Sequence, residues 1–233
     1  MEIKEKFCQT KWGKICYWDF GGGDKTLVFV HGFLGLPAHM GKIKDLADKG
    51  VRIIAPYLPS HGKSFYISKG FLFLDLVAVF EEFFQQLGLR NVVLVAHSLG
   101  GALTLGLEDK KFIKQIILID PALVTPEINW KKIPGWIKDM YADRDRFKTE
   151  AGKILFPQFF VCLKEFFQLP DLLKLLRTIK TKTPEIPAAY LWGEKDAFTP
   201  LPEYVKTAKV FPGGHHWFHW QEEKLIAEIE KFL

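Results

Sequence analysis

Two short stretches of this chain combine residue types that can attack and stabilise an acyl group. The first is Val92-Val93-Leu94-Val95-Ala96-His97-Ser98-Leu99-Gly100-Gly101. A serine follows an apolar run directly and precedes a helix-forming segment directly. Ala96 and Gly100 stand two residues before and after it. A tight strand-to-helix turn needs small residues there, because larger ones clash with neighbouring backbone. Such a turn exposes the Ser98 hydroxyl and aims the free N–H groups of a helix start at developing negative charge. A serine before a helix can also be a simple N-cap. The buried strand and the Gly-Gly pair favour a nucleophile. The second stretch is Val28-Phe29-Val30-His31-Gly32-Phe33-Leu34-Gly35. Its His-Gly step lets backbone approach the serine, so the Phe33 and Leu99 N–H groups are candidate donors to an oxyanion. Losing one such donor typically costs about 2.7–4 kcal/mol of barrier.

An activated serine needs a base, and the base needs an acid to orient it. His215, His216 and His219 lie late in the chain, the first after Gly213-Gly214. Two carboxylates follow apolar runs: Asp120 after Gln115–Ile119, and Asp196 at the end of Leu191-Trp192-Gly193-Glu194-Lys195-Asp196. His31, His39, His61 and His97 sit in motif loops as structural or pocket-lining groups, and His31 is expected at the substrate. No histidine pair has the i, i+4 spacing with a carboxylate that a zinc site would show, so no metal is expected.

The elements that hold these residues are legible from period and punctuation. Strands are expected at Lys6–Gln9, Ile15–Asp19, Thr26–Val30, Val51–Ala55, Val92–Ala96, Gln115–Ile119, Ala188–Trp192 and Ala208–Phe211. Helices are expected at Pro37–Asp48, Phe71–Leu87, Leu99–Leu107 and Trp220–Phe232, with a short one near Pro202–Val205. Continuous apolar strands alternating with helices predict an α/β fold with a mostly parallel sheet covered on both faces. The rhythm stops between Pro121 and Pro187. Residues 1–120 and 188–233 therefore read as the core, and 121–187 as a helical insertion.

These motifs, in this order, resemble the α/β-hydrolase superfamily. The matching residues are His31-Gly32-Phe33-Leu34-Gly35, Leu58-Pro59-Ser60-His61-Gly62-Lys63-Ser64, Ala96-His97-Ser98-Leu99-Gly100-Gly101, Leu191-Trp192-Gly193-Glu194-Lys195-Asp196 and Gly213-Gly214-His215. They span nearly the whole chain apart from the insertion. Ala96 replaces a commoner glycine. The resemblance implies a triad of Ser98, Asp196 and His215, oxyanion donors Phe33 and Leu99, no cofactor, and a lid formed by the insertion. It favours Asp196 over Asp120, and His215 over its neighbours. It also implies an acyl-enzyme mechanism on a carboxylic ester. Among small members, the chain is similar to carboxylesterases that act on a pimeloyl methyl ester held on an acyl carrier in biotin synthesis. It also shares His-Gly-Phe-Leu-Gly with menaquinone-pathway lyases, but Ala102 stands where those lyases carry an arginine. A third alternative is a member of the fold that has lost activity and only binds.

Composition narrows the setting. The chain has 233 residues, a net charge of +5, 48% hydrophobic and 15% aromatic residues. That excludes disorder as the main state. No apolar run reaches the roughly 18–20 residues a membrane-spanning helix needs. Three cysteines and an N-terminal segment without an apolar signal core favour a cytoplasmic protein with free thiols. Between Pro121 and Pro187 there are 12 Lys and Arg against 8 Asp and Glu, so +4 of the +5 lies in the insertion. The insertion also carries nine aromatic residues. Arg144, Arg146 and Lys148 are candidates to meet an acidic group or carrier protein, whereas Lys174, Arg177 and Lys180 read as the solvated face of a helix. The expected partner is a small or carrier-bound ester rather than nucleic acid, and the expected state is a monomer or weak homodimer.

Overall fold

The computed structural model describes residues 5–33, 35–107, 112–123, 170–172, 174–179 and 188–233. Its centre is an eight-stranded sheet: β1 (Glu5–Thr10), β2 (Gly13–Phe20), β3 (Lys25–Val30), β4 (Val51–Pro56), β5 (Val92–His97), β6 (Ile113–Ile119), β7 (Ala188–Gly193) and β8 (Lys209–Phe211). The spatial order is β1-β2-β4-β3-β5-β6-β7-β8. β1 and β2 pair antiparallel, as do β2 and β4, and every later pair is parallel. The order reverses between β3 and β5. At such a switch point the loops leaving the two strand ends lie side by side and open a crevice. Val30 pairs with Ala96 there, which brings the segment after His31 beside Ser98.

Each central strand feeds two cores, because alternate side chains point to opposite faces. Val92, Leu94 and Ala96 pack with α1 (Phe73–Gln86) and α2 (Leu99–Gly106). Val93 and Val95 pack with the Pro37–Lys49 segment and α3 (Glu222–Glu230). α1 starts where the Asp75 carboxylate accepts the Leu72 N–H at 2.8 Å. It stops at Gly88, whose φ of 61° lets the chain turn back so that the Leu89 N–H reaches the Phe84 carbonyl. Much of the aromatic content is spent here: Phe73, Phe80, Phe83 and Phe84 on α1 are all fully buried. Phe83 packs edge-on against Tyr17, 5.4 Å between ring centres. Phe83→Ala is expected to lower the unfolding free energy by about 3–5 kcal/mol, read from urea melts with an unchanged slope.

Three expectations change in detail. The Pro37–Lys49 segment is 3-10 in character and breaks at Gly41, φ 51°, where an added Cβ would lie 2.0 Å from the Glu222 carboxylate. The expected helix at Pro202–Val205 is a single turn closed by the Val205 N–H on the Pro202 carbonyl. Pro200 and Pro202 remove the donors a longer helix would need. The last helix begins at Glu222, because Trp217 and Phe218 are drawn into the second core as a 3-10 turn before it. Most of the insertion lies outside the described residues. Within its described part, Leu172, Leu176 and Ile179 are buried against the first core, while Lys174 and Arg177 are exposed as expected of a solvated face. Cys8 and Cys16 are buried free thiols, and burial pushes Cys16 up to about 11, which suits packing and not chemistry. No helix among the described residues is long and apolar enough to cross a membrane.

Candidate active site

Ser98 sits at the end of β5 with φ 52° and ψ −115°, a conformation rare for a residue with a side chain. Its backbone is held from three sides. Its N–H donates to the Ile119 carbonyl, and its own carbonyl accepts from Ala102 and Ala122. The two small neighbours explain why the strain can exist. Ala96 is fully buried in the sheet. A Cβ on Gly100 would stand 2.4 Å from the Val30 carbonyl oxygen, so only glycine lets α2 start this close to β3. Strain of this kind persists where surrounding structure over-determines it and clusters at reactive residues.

Gly32 lies equally close to the serine: a Cβ there would meet the Ser98 Cβ at 2.8 Å. The chain from His31 to Gly35 closes a turn through the Gly35 N–H on the Gly32 carbonyl. Phe33 stands within that turn, and Leu99 is the first residue of α2, whose N–H has no intrahelical acceptor by geometry. His31 is not positioned for substrate contact, contrary to expectation. It is fully buried, its Nδ1–H donates to the Gly32 carbonyl at 2.8 Å, and its Nε2 accepts the Leu58 N–H at 3.1 Å. The ring therefore ties the turn to the Leu58–Ser64 loop and has no nitrogen left for a ligand.

Asp196 and His215 come together as one unit. The His215 Nδ1–H donates to Asp196 Oδ2 at 2.8 Å, which leaves the lone pair on Nε2. Asp196 is held by further donors: the Phe198 N–H at 2.8 Å, the Thr199 N–H at 3.0 Å and the Thr199 hydroxyl at 2.7 Å. Burial alone would raise its pKa, but the charge and hydrogen bond of His215 and the Thr199 donors leave it below the usual carboxylate range. The acid and histidine loops are tied by the Lys195 N–H on the Gly213 carbonyl at 2.8 Å. His97 completes the link to the serine. Its Nε2–H donates to the His215 carbonyl at 3.0 Å, and the two rings lie 4.6 Å apart. His215 is thus fixed against the residue that precedes Ser98.

His216 stacks on His219, with ring centres 5.9 Å apart, and both serve packing here. Arg144, Arg146 and Lys148 lie outside the described residues. Two participants escaped the reading of the sequence. Thr199 donates its hydroxyl to Asp196, with the same oxygen 3.2 Å from His215 Nδ1 and 3.0 Å from the Asp120 carbonyl oxygen, and a lone threonine after a loop carries no pattern that could reveal this. His97 was visible only as a motif residue. Asp120, the weaker candidate acid, lies beside the pair: one atom each of Asp120, Asp196 and His215 fall within 4.8 Å of one another. The Asp196 oxygens and His215 Nδ1 are already engaged by the hydrogen bonds above.

A serine on a strained strand-to-helix turn, a carboxylate-oriented histidine and backbone donors at a helix start form a set suited to acyl transfer. The chain is 31% identical over 162 residues to the non-heme chloroperoxidase CPO-A1 of Kitasatospora aureofaciens, a match covering 64% of this chain and 58% of that protein. The chain thus spans little more than half the length of that relative. It is 25% identical over 199 residues to a Mycoplasma pneumoniae protein classed with esterases and lipases, covering 76% of this chain and 70% of the other. A laboratory-evolved variant of potato epoxide hydrolase shares the fold with a TM-score of 0.77 at 15% identity, over 99% of both chains. The model of the alpha/beta hydrolase family matches residues 27–229, which take in the strands from β3 onward and every motif around Ser98. By that match, this chain belongs to the alpha/beta hydrolase family.

Proposed function

We propose that this protein hydrolyses a carboxylic ester through an acyl-enzyme on Ser98. The observation that carries the reading is the Asp196–His215 pair, 2.8 Å apart, anchored through His97 beside a serine held at φ 52°. In this mechanism His215 Nε2 takes the Ser98 proton as the hydroxyl attacks the acyl carbon. The Phe33 and Leu99 N–H groups stabilise the oxyanion, and His215 then protonates the leaving alcohol. Water enters, loses its proton to His215, and releases the acid. Asp196 stays ionised throughout and holds the ring. A fluorophosphonate probe tests the nucleophile. It is expected to add one equivalent, located by peptide mass spectrometry on Ser98. Modification elsewhere, or none, would overturn the reading.

We further propose that the insertion at 121–187 covers this site and accepts an apolar acyl chain, with Arg144, Arg146 and Lys148 meeting an acidic carrier. The placement of +4 of the +5 net charge in that segment supports this. Methyl pimeloyl on an acyl carrier is the substrate of first choice, and the cytoplasm the compartment that suits it. Reversing Arg144, Arg146 and Lys148 to Glu is expected to lower kcat/KM on that carrier ester by about tenfold or more, with p-nitrophenyl acetate unaffected. An equal rate on the carrier ester would sink the carrier assignment and leave the esterase intact.

A further inference from the structure

The acid end of the site holds one carboxyl more than a serine–histidine–acid triad uses. Asp120 ends β6 with φ 43° and no exposed surface. Its Oδ1 accepts the Gly193 N–H at 2.7 Å, which ties β6 to the strand that leads to Asp196. Its Oδ2 makes no well-formed hydrogen bond. The indole Nε1 of Trp217, fully buried, also lacks one and faces Asp120. A buried donor and a buried acceptor without good partners are each costly, so their meeting at this spot calls for a physical account.

The neighbours supply it. Two carboxylates sharing a buried site within 4.8 Å do not both ionise. The donors decide which one does. Asp196 receives the Phe198 N–H, the Thr199 N–H, the Thr199 hydroxyl and the His215 Nδ1–H. The well-formed hydrogen bond to the Asp120 carboxyl comes from the Gly193 N–H. Burial first, and the charge of Asp196 second, push the Asp120 carboxyl well above its ordinary range. The titratable groups that face it are Asp196 and His215, with His97 packed behind His215.

We propose that Asp120 is a positioning residue that keeps its proton, with its O–H turned to Asp196, so that a single negative charge stands behind His215. As a hydroxyl, Oδ2 can donate to Asp196 and accept from Trp217, which gives both orphan atoms a role. The Asp196 carboxylate then gains a further donor beside those of Thr199 and His215. This rests on the reading of Asp196 and His215 as the acid and base for Ser98.

The test is the pH profile of kcat/KM with p-nitrophenyl acetate for wild type, Asp120→Ala, Asp120→Asn and Ser98→Ala. Asp120→Ala is expected to lower kcat by about tenfold or more with KM changed less than about twofold, because Asp196 loses a donor and turns. Asp120→Asn is expected to restore most of that rate, since its amide N–H replaces the O–H and asparagine accepts positive φ. Its acidic midpoint is expected to match wild type within about 0.3 pH unit. A fall of that midpoint by about one unit or more would overturn the proposal, because it would mean that wild-type Asp120 carries a charge that stabilises the imidazolium. A wild-type kcat in Asp120→Ala would overturn it as well. Should Asp120→Ala fail to fold by circular dichroism, the midpoint of Asp120→Asn alone decides. Undiminished hydrolysis by Ser98→Ala would instead defeat the acyl-enzyme reading, whatever Asp120 does.

Discussion

Ser98→Ala is expected to abolish turnover of p-nitrophenyl esters while leaving the fold and thermal midpoint near those of wild type. The fall in kcat should be on the order of 10⁶-fold, the scale seen when a triad nucleophile is removed. Stability should survive because the serine's structural bonds are made by its backbone: the N–H to Ile119 and the carbonyl to Ala102 and Ala122. Alanine keeps the Cβ that packs against Gly32. His215→Ala should lose nearly as much, and the double variant little more than either alone, because the two act as one unit. Asp196→Asn should lose less, about 10⁴-fold, through the wrong imidazole tautomer. Additive losses across Ser98 and His215 would argue that they do not serve the same step. The measurement is single-turnover and steady-state release of p-nitrophenol, with circular dichroism as the folding control.

The second large effect is loss of the fold in mild acid. The chain has seven histidines, and three of them, His31, His61 and His97, are fully or almost fully buried. Burial first of all holds all three below the usual histidine range; for His61 the value falls to about 4. The cause is visible in the bonds. His31 Nε2 accepts the Leu58 N–H, and a proton there would break that bond and face a second buried ring, His61, 5.1 Å away. These rings are neutral when folded, whereas in the unfolded chain they bind protons below about pH 6.5. Their contribution to stability is therefore complete above about pH 6.5 and lost as pH falls through their lowered folded-state values, for His61 down to about 4. Each costs about 1.4 kcal/mol per pH unit below that point, so the three together cost about 4 kcal/mol per pH unit. Over two pH units that amounts to about 8 kcal/mol, enough to unfold a domain in the lower half of the usual range of about 5–15 kcal/mol. Tryptophan fluorescence and circular dichroism followed from pH 8 to 3.5 will check this. A native signal that persists at pH 4 with an unchanged urea midpoint would refute it.

Much of this site could be read from residue order because its chemistry depends on local punctuation. A serine between a buried strand and Gly100-Gly101 has few alternatives once the turn must be tight. The same holds for Gly32, where backbone approach forbids a Cβ. Charged and aromatic residues were less informative. Phe73, Phe80, Phe83 and Phe84 belong to the core, so aromatic richness is no property of the insertion. His31 was expected at the substrate because its motif touches the site, yet both its nitrogens are spent on backbone. A side chain's partners depend on which loops the sheet order brings together, and periodicity does not contain that order.

The linear chain by itself determined the strand–helix alternation, the strained serine turn and the types of its acid and base. These follow from hydrophobic period, small residues at tight turns and the limited set of side chains that can exchange protons. The motif resemblance favours Asp196 over Asp120, and only the tertiary structure supplies the physical reason: Asp120 follows β6, Asp196 lies in the turn after β7, and the two differ in their donors. Asp196 collects the Phe198 and Thr199 N–H groups and the Thr199 hydroxyl, and so carries the charge. Asp120 is left with the Gly193 N–H and an orphan oxygen. Hydrogen-bond supply in a buried site is set by residues distant in sequence, and it governs where a negative charge can reside.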